Sequence, residues 1–242
     1  MKTFVVLAAL VFTASLSAEV HKQDVDIQAP DGVNLKGTYF SAGQQGPAIL
    51  LLHQCNMDRH AWDGLAAALA ANGFNVLTFD FRGYGESGGE KGKKLMEQAE
   101  QMRKWPADVD TAFAFLTSQK DVDQGRIAVG GASCGVMQSA DLAVRHHEIR
   151  ALVLLSGVVS DAAKQYIGDT TLLPVFGAAS EDDSGAAQGI KDVMDASQNN
   201  DSLLKIYPGS AHGVPMFDSN AELQPMIVDW LKARLTAAAA SQ

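Results

Sequence analysis

Short, near-continuous apolar runs recur along the chain, at residues 48–53, 75–81, 126–130, 151–156, 172–178 and 203–207, with longer amphipathic stretches between them. A run with no polar alternation fits a strand covered on both faces, as in a parallel sheet clad by helices. The stretches between carry helical spacing, over 62–71 with a stop at Gly73, and over 95–118, 134–145, 187–196 and 223–235. Ahead of the first run, polar and apolar positions alternate over 24–28 and 34–39 across Pro30-Asp31-Gly32, which predicts an antiparallel hairpin. Strand and helix in alternation predict an α/β fold with a mostly parallel, doubly wound sheet. In such sheets the working residues sit on loops at the carboxyl ends of the strands. The alanine-rich 237–242 reads as a frayed helix end.

At 242 residues, 47% hydrophobic and 19% charged, the chain is long enough for one α/β domain with a substantial core, expected over 19–242. The first residues read as a signal peptide. Lys2 supplies the charged start, 4–12 the apolar stretch, and Ala14, Ser15, Ser17 and Ala18 the small residues, so cleavage of 1–17 is expected after Ser17 or Ala18. The apolar stretch falls short of the roughly 20 residues of a spanning helix, so no membrane span is expected after its removal. A secreted or periplasmic location follows, and an oxidising compartment allows Cys55 and Cys134 to pair. The formal charge of −9 disfavours nucleic acid, whose binding rests on Lys and Arg neutralising phosphates. The one basic cluster, Lys91, Lys93 and Lys94 with Arg103 and Lys104 nearby, reads as a solvated face. The sequence holds no His/Cys/Asp cluster at metal-ligand spacing and no phosphate-binding P-loop, so neither metal nor cofactor is expected.

The chemistry concentrates at Gly131-Ala132-Ser133-Cys134-Gly135, where an apolar strand runs into a helix. Glycines two before and two after Ser133 let strand and helix pass closely, and a serine on this sharp turn is exposed at a helix N-terminus that favours negative charge. Cys134 is a rival nucleophile, but its frame would need glycine at Ala132 and Val136. A serine hydroxyl needs a base. Of six histidines, His212 follows the last strand run, on a loop expected to face Ser133. A carboxylate must orient that histidine, and three adjacent acids, Glu181, Asp182 and Asp183, follow the 172–178 run.

These segments resemble the α/β-hydrolase superfamily, and within it the dienelactone-hydrolase-like and small serine esterase groups. The likeness includes Leu51-Leu52-His53-Gln54-Cys55, Asp80-Phe81-Arg82-Gly83-Tyr84-Gly85-Glu86-Ser87, the Ser133 elbow and Pro208-Gly209-Ser210-Ala211-His212-Gly213, in order from Ala48 to Gly213. The resemblance implies Asp183 as the acid, with Ser180 where the family has glycine. It also implies that the backbone N–H groups of Cys134 and Cys55 form the oxyanion hole, that His53 braces the loop, and that little or no lid follows Ser156. Gln54 stands where the family carries glycine, which leaves the shape of the oxyanion loop open. Two amides aimed at one oxyanion would bring Cys55 and Cys134 within the ~4.4–6.8 Å Cα spacing of a disulfide, so a Cys55–Cys134 bridge is expected, with two packed free thiols as the alternative. The expected function is a serine hydrolase acting by acyl transfer, a carboxylesterase on small or medium esters. A peptidase or amidase, a dienelactone-type lactone hydrolase and a non-catalytic binding domain are the alternatives. Met57, Tyr166, Val214 and Met216 are candidates for the pocket wall, with core packing as their alternative role.

Overall fold

The hairpin opens the structure, a computed structural model that describes residues 20–41, 43–90 and 95–236. The expected signal peptide 1–17, the lysines at 91, 93 and 94 and the tail 237–242 lie outside these residues. Strands β1 (His21–Gln28) and β2 (Asn34–Ser41) form the hairpin. They are followed by β3 (Gly46–Leu52), β4 (Asn75–Phe79), β5 (Val122–Ala132), β6 (Ile149–Leu155), β7 (Val175–Ser180) and β8 (Leu203–Tyr207). One eight-stranded sheet results, in the order β1-β2-β4-β3-β5-β6-β7-β8. Among the described residues only the β1–β2 and β2–β4 pairings are antiparallel, so β2 alone runs against the other strands.

Burial on both sheet faces explains the apolar runs of the inner strands, whereas the edge strand β8 buries only Tyr207. All seven residues of β3 are buried. Successive side chains point to opposite faces, so Leu50 and Leu52 enter one core while Ile49 and Leu51 enter the other. The first core is closed by α3 (Trp105–Thr117), α4 (Cys134–Arg145) and α6 (Ser184–Ala196), the second by α1 (Asp63–Ala71) and α7 (Leu223–Leu235). Fully burying each such aliphatic side chain contributes about 1.5–3 kcal/mol.

Where the structure departs from the expected elements, local chemistry accounts for it. The single helix expected over 95–118 is two, α2 (Leu95–Met102) and α3, because Pro106 in the first turn of α3 has no N–H and its ring excludes a preceding helical turn. The expected strand 172–178 begins only at Val175, after Pro174, and Leu172 is 80% exposed. The β6–β7 connection contains α5 (Asp161–Asp169), started by Ser160, whose hydroxyl accepts from the Ala163 N–H at 3.1 Å. Only Ala163 and Ile167 of α5 are buried, too sparse an apolar stripe to register in the sequence.

The loops after β3 and β4 are locked to each other. Asp80 accepts from the backbone N–H of Arg59 at 2.7 Å, pairs with the Arg59 guanidinium at 2.5 Å and accepts from the Glu86 N–H at 2.9 Å. Arg82 pairs with Asp108 at 2.5 Å and with Asp31 at 2.7 Å. Buried His53 accepts the Phe81 N–H on Nε2 at 3.0 Å, so its proton lies on Nδ1, which donates to the Gln54 carbonyl at 2.8 Å. The Asp80 loop is therefore a scaffold that sets the loop carrying Cys55.

Candidate active site

Ser133 stands between β5 and α4 with φ 53° and ψ −116°, a conformation that a non-glycine residue holds only where its surroundings enforce it. The flanking glycines explain the enforcement. A Cβ at Gly131 would sit 2.1 Å from the Gly135 carbonyl oxygen, and one at Gly135 would sit 2.4 Å from the Leu52 carbonyl oxygen. The Ser133 N–H is bonded to the Leu155 carbonyl at 3.0 Å, which ties the turn to β6. Cys134 is the first residue of α4, so its N–H is among the helix-start donors that have no intrahelical acceptor.

His212 follows β8, and its Nδ1 lies 2.6 Å from Asp183 Oδ2. Of the three adjacent acids, Glu181 and Asp182 are exposed, and Asp183 is the one whose carboxylate meets the ring. With the carboxylate on Nδ1, that nitrogen carries the proton and Nε2 is left as an acceptor, the state a general base needs. The two loops are stitched together: Glu181 N–H donates to Tyr207 O at 2.8 Å, Asp182 N–H to Gly209 O at 2.9 Å, and the Ser180 hydroxyl to Ala211 O at 2.7 Å.

Cys55 and Cys134 are joined by a disulfide, with their Cα atoms 5.9 Å apart. Beside it, Gln54 Oε1 accepts from the Val214 N–H at 2.9 Å, and its Nε2 donates to Asn56 Oδ1 at 2.7 Å. Ser180 and Gln54, the two residues that stand in for glycine, are thus both buried braces on the loop that carries His212. In the sequence they registered only as departures from a pattern.

A model of the α/β-hydrolase fold family matches residues 47–216, from the first buried strand through the His212 loop. The chain belongs to the α/β-hydrolase fold family. An uncharacterized protein of Mycobacterium tuberculosis is 37% identical over 140 residues, 57% of this chain and 46% of the relative. The chain thus spans less than half the length of that curated relative. Among solved structures, an esterase of Pyrococcus furiosus superposes with a TM-score of 0.70 at 19% identity, over 89% of this chain and 91% of the esterase. Est1E of Butyrivibrio proteoclasticus, solved with ferulic acid bound, superposes with a TM-score of 0.73 at 15% identity, over 88% and 99%. At such identities the likeness is one of fold.

In this α/β hydrolase, Ser133 and His212 line one pocket of about 280 Å³. Its walls include Met102, Trp105, Met137 and Val158, and a Ser156–Gly157 step closes it. Ser156 also holds positive φ, at 52°, and its N–H donates to the Ala178 carbonyl at 2.8 Å. Met102, Met137 and Val158 are at least one-third exposed, an apolar rim that marks a site for apolar ligand surface. A second pocket of about 330 Å³ adjoins it across Met102 and Trp105, lined also by Cys55, Arg82, Tyr84, Gln98 and Gln101. Arg82 holds the Asp31 carboxyl down at about 2 through their hydrogen bond. With Asp108 bound as well, the guanidinium's charge is already matched within the protein. None of Met57, Tyr166, Val214 and Met216 lines either pocket. Met57, Val214 and Met216 pack in or against the second core, and Tyr166 against the first. The walls come instead from α2, α3, α4 and the turn after β6, whose convergence has no signature along the chain.

Proposed function

We propose that this chain is a serine hydrolase that cleaves small or medium carboxylic esters by acyl transfer. Ser133 attacks the ester carbonyl, and Nε2 of His212 takes its proton and passes it to the departing alcohol. Asp183 keeps the proton of the imidazole on Nδ1 and stabilises the cation that forms. The N–H groups of Cys134 and Cys55 receive the developing oxyanion, and water activated by His212 then releases the acid. The observation that carries this reading is a strained serine sharing a pocket with a histidine whose far nitrogen is already engaged by a carboxylate. Esters are favoured over amides because an alkoxide leaves more readily than an amine. The disulfide, together with the leader expected in the sequence, supports a secreted or periplasmic location. A p-nitrophenyl ester series from acetate to decanoate, with wild type and Ser133→Ala, tests the reading. Turnover by wild type that Ser133→Ala loses is expected. Equal rates for the two proteins overturn the nucleophile, and turnover of aminoacyl anilides alone replaces the esterase with a peptidase.

A further inference from the structure

Among the described residues two non-glycine positions hold positive φ, Ser133 at 53° and Ser156 at 52°. The first is the elbow, and the second follows β6, the strand paired with β5. Glycine adopts positive φ without a Cβ penalty and is the ordinary occupant of such a turn. A serine held there is strained, so its side chain must contribute a contact that glycine lacks. The turn itself is required. A Cβ at Gly157, the next residue, would meet the Ser133 carbonyl oxygen at 2.8 Å, so the chain passes close against the elbow. The Ser156 hydroxyl donates to Met216 Sδ at 3.7 Å, and both residues are fully buried. Met216 N–H in turn donates to the Gly213 carbonyl at 3.0 Å, so this contact reaches the turn that directly follows His212. The end of β6 also holds the other two segments of the site. Leu155 O accepts from the Ser133 N–H at 3.0 Å, and the Ser156 N–H donates at 2.8 Å to Ala178 O, in the strand that leads to Asp183. Of these three links, the one to the His212 turn runs through a side chain, and it is the one that glycine would remove.

On the serine-hydrolase reading above, we propose that Ser156 is a positioning residue: its hydroxyl pins Met216 and thereby fixes the His212 turn against the end of β6. Methionine has three rotatable side-chain bonds and a weakly accepting sulfur, so by itself it does not define one packing arrangement. A buried hydroxyl on Sδ selects one. The His212 side chain is 42% exposed, so its ring is placed by the loop behind it more than by packing around it. Two other braces, Ser180 on the Ala211 carbonyl and Gln54 on the Val214 N–H, act on the backbone of that loop. Ser156 acts on the side chain that anchors the loop in the core. It borders the pocket but has no exposed surface, so its effect passes through Met216 and not through contact with substrate. A misplacement of about 1 Å costs up to about 10²-fold in rate, and loss of this pin should cost about tenfold in kcat.

The test compares wild type, Ser156→Gly, Ser156→Ala, Met216→Leu and the double variant Ser156→Ala with Met216→Leu. Two rates are measured: hydrolysis of p-nitrophenyl butyrate, and labelling of Ser133 by a fluorophosphonate probe. Ser156→Gly keeps the turn without strain and is expected to lower kcat about tenfold, with KM within about twofold of wild type and labelling slowed in parallel. The double variant should be no slower than Ser156→Ala, because both substitutions remove one contact. Wild-type kcat in Ser156→Gly overturns the proposal. So does a change confined to KM, which makes Ser156 a wall of the pocket, and so do single losses that multiply in the double variant. Should Ser156→Ala fail to fold, Ser156→Gly and Met216→Leu decide. A wild type that is labelled but leaves the ester intact overturns the esterase reading, and the labelling rates still decide the role of Ser156. A wild type that does neither overturns both.

Discussion

Replacing both Cys55 and Cys134 by alanine removes the cross-link while leaving the two backbone amides in the chain. The bridge joins residues 79 positions apart. Loop-closure entropy for a loop of that length corresponds to about 4.5 kcal/mol of stability at 25 °C. For a domain of this size each kcal/mol moves Tm by about 2–4 °C, so thermal unfolding followed by circular dichroism should show a fall of roughly 9–18 °C. A second effect is kinetic. On the proposed mechanism the bridge holds together the loop after β3 and the start of α4, which supply the two oxyanion donors. Without it kcat should fall and KM change little, with the about 10²–10³-fold loss of one whole donor as the ceiling. Measuring at 10 °C keeps the variant folded and separates the two effects. Two titratable thiols in native wild type, or an unchanged Tm in the double variant, would refute the stability argument. A lowered Tm with unchanged kcat would refute the link to the oxyanion donors.

The acid is tested by a pair of variants: Asp183→Asn should lower kcat by about 10⁴-fold, as expected when the imidazole loses its orienting carboxylate, whereas Asp182→Asn should leave kcat within a few-fold. The glycine frame is tested by urea midpoints. Gly135→Ala forces a Cβ to 2.4 Å from the Leu52 carbonyl oxygen, an overpacking cost of about 1–3 kcal/mol. Gly185→Ala, at an exposed position in the first turn of α6, meets nothing within 4 Å and should gain about 0.4–1 kcal/mol. Gln54→Leu removes the acceptor of the Val214 N–H; the unpaired amide should cost about 1–3 kcal/mol, and faster hydrogen exchange across 211–216 would register it.

Much of the fold was legible because its cues are local. A strand buried on both faces must be apolar throughout, and β3 and β4 fall close to where the apolar runs lie. A serine forced to positive φ on a tight turn needs small neighbours two residues away on either side, which is a pattern a chain displays openly. Helix α4 begins and ends at the expected residues for the same reason, with the elbow before it and Arg145 in its last turn. The misses are equally physical. Helix α5 buries too little to leave a periodic stripe, and the break between α2 and α3 depends on Pro106, which a helix tolerates only in its first turn.

By itself, then, the chain determined the alternation of strands and helices, the elbow around Ser133 and the position of His212 after the last strand, since each follows from the preferences of a few adjacent residues. Which of three consecutive carboxylates reaches His212, that Gln54 and Ser180 hold its loop, and that α2, α3 and α4 bring Met102, Trp105 and Met137 together as pocket walls beside Ser133 were decided only by the tertiary structure. Those facts depend on distances between segments far apart in sequence. Such distances are set by how the sheet twists and the helices pack, and no single stretch of the chain encodes them.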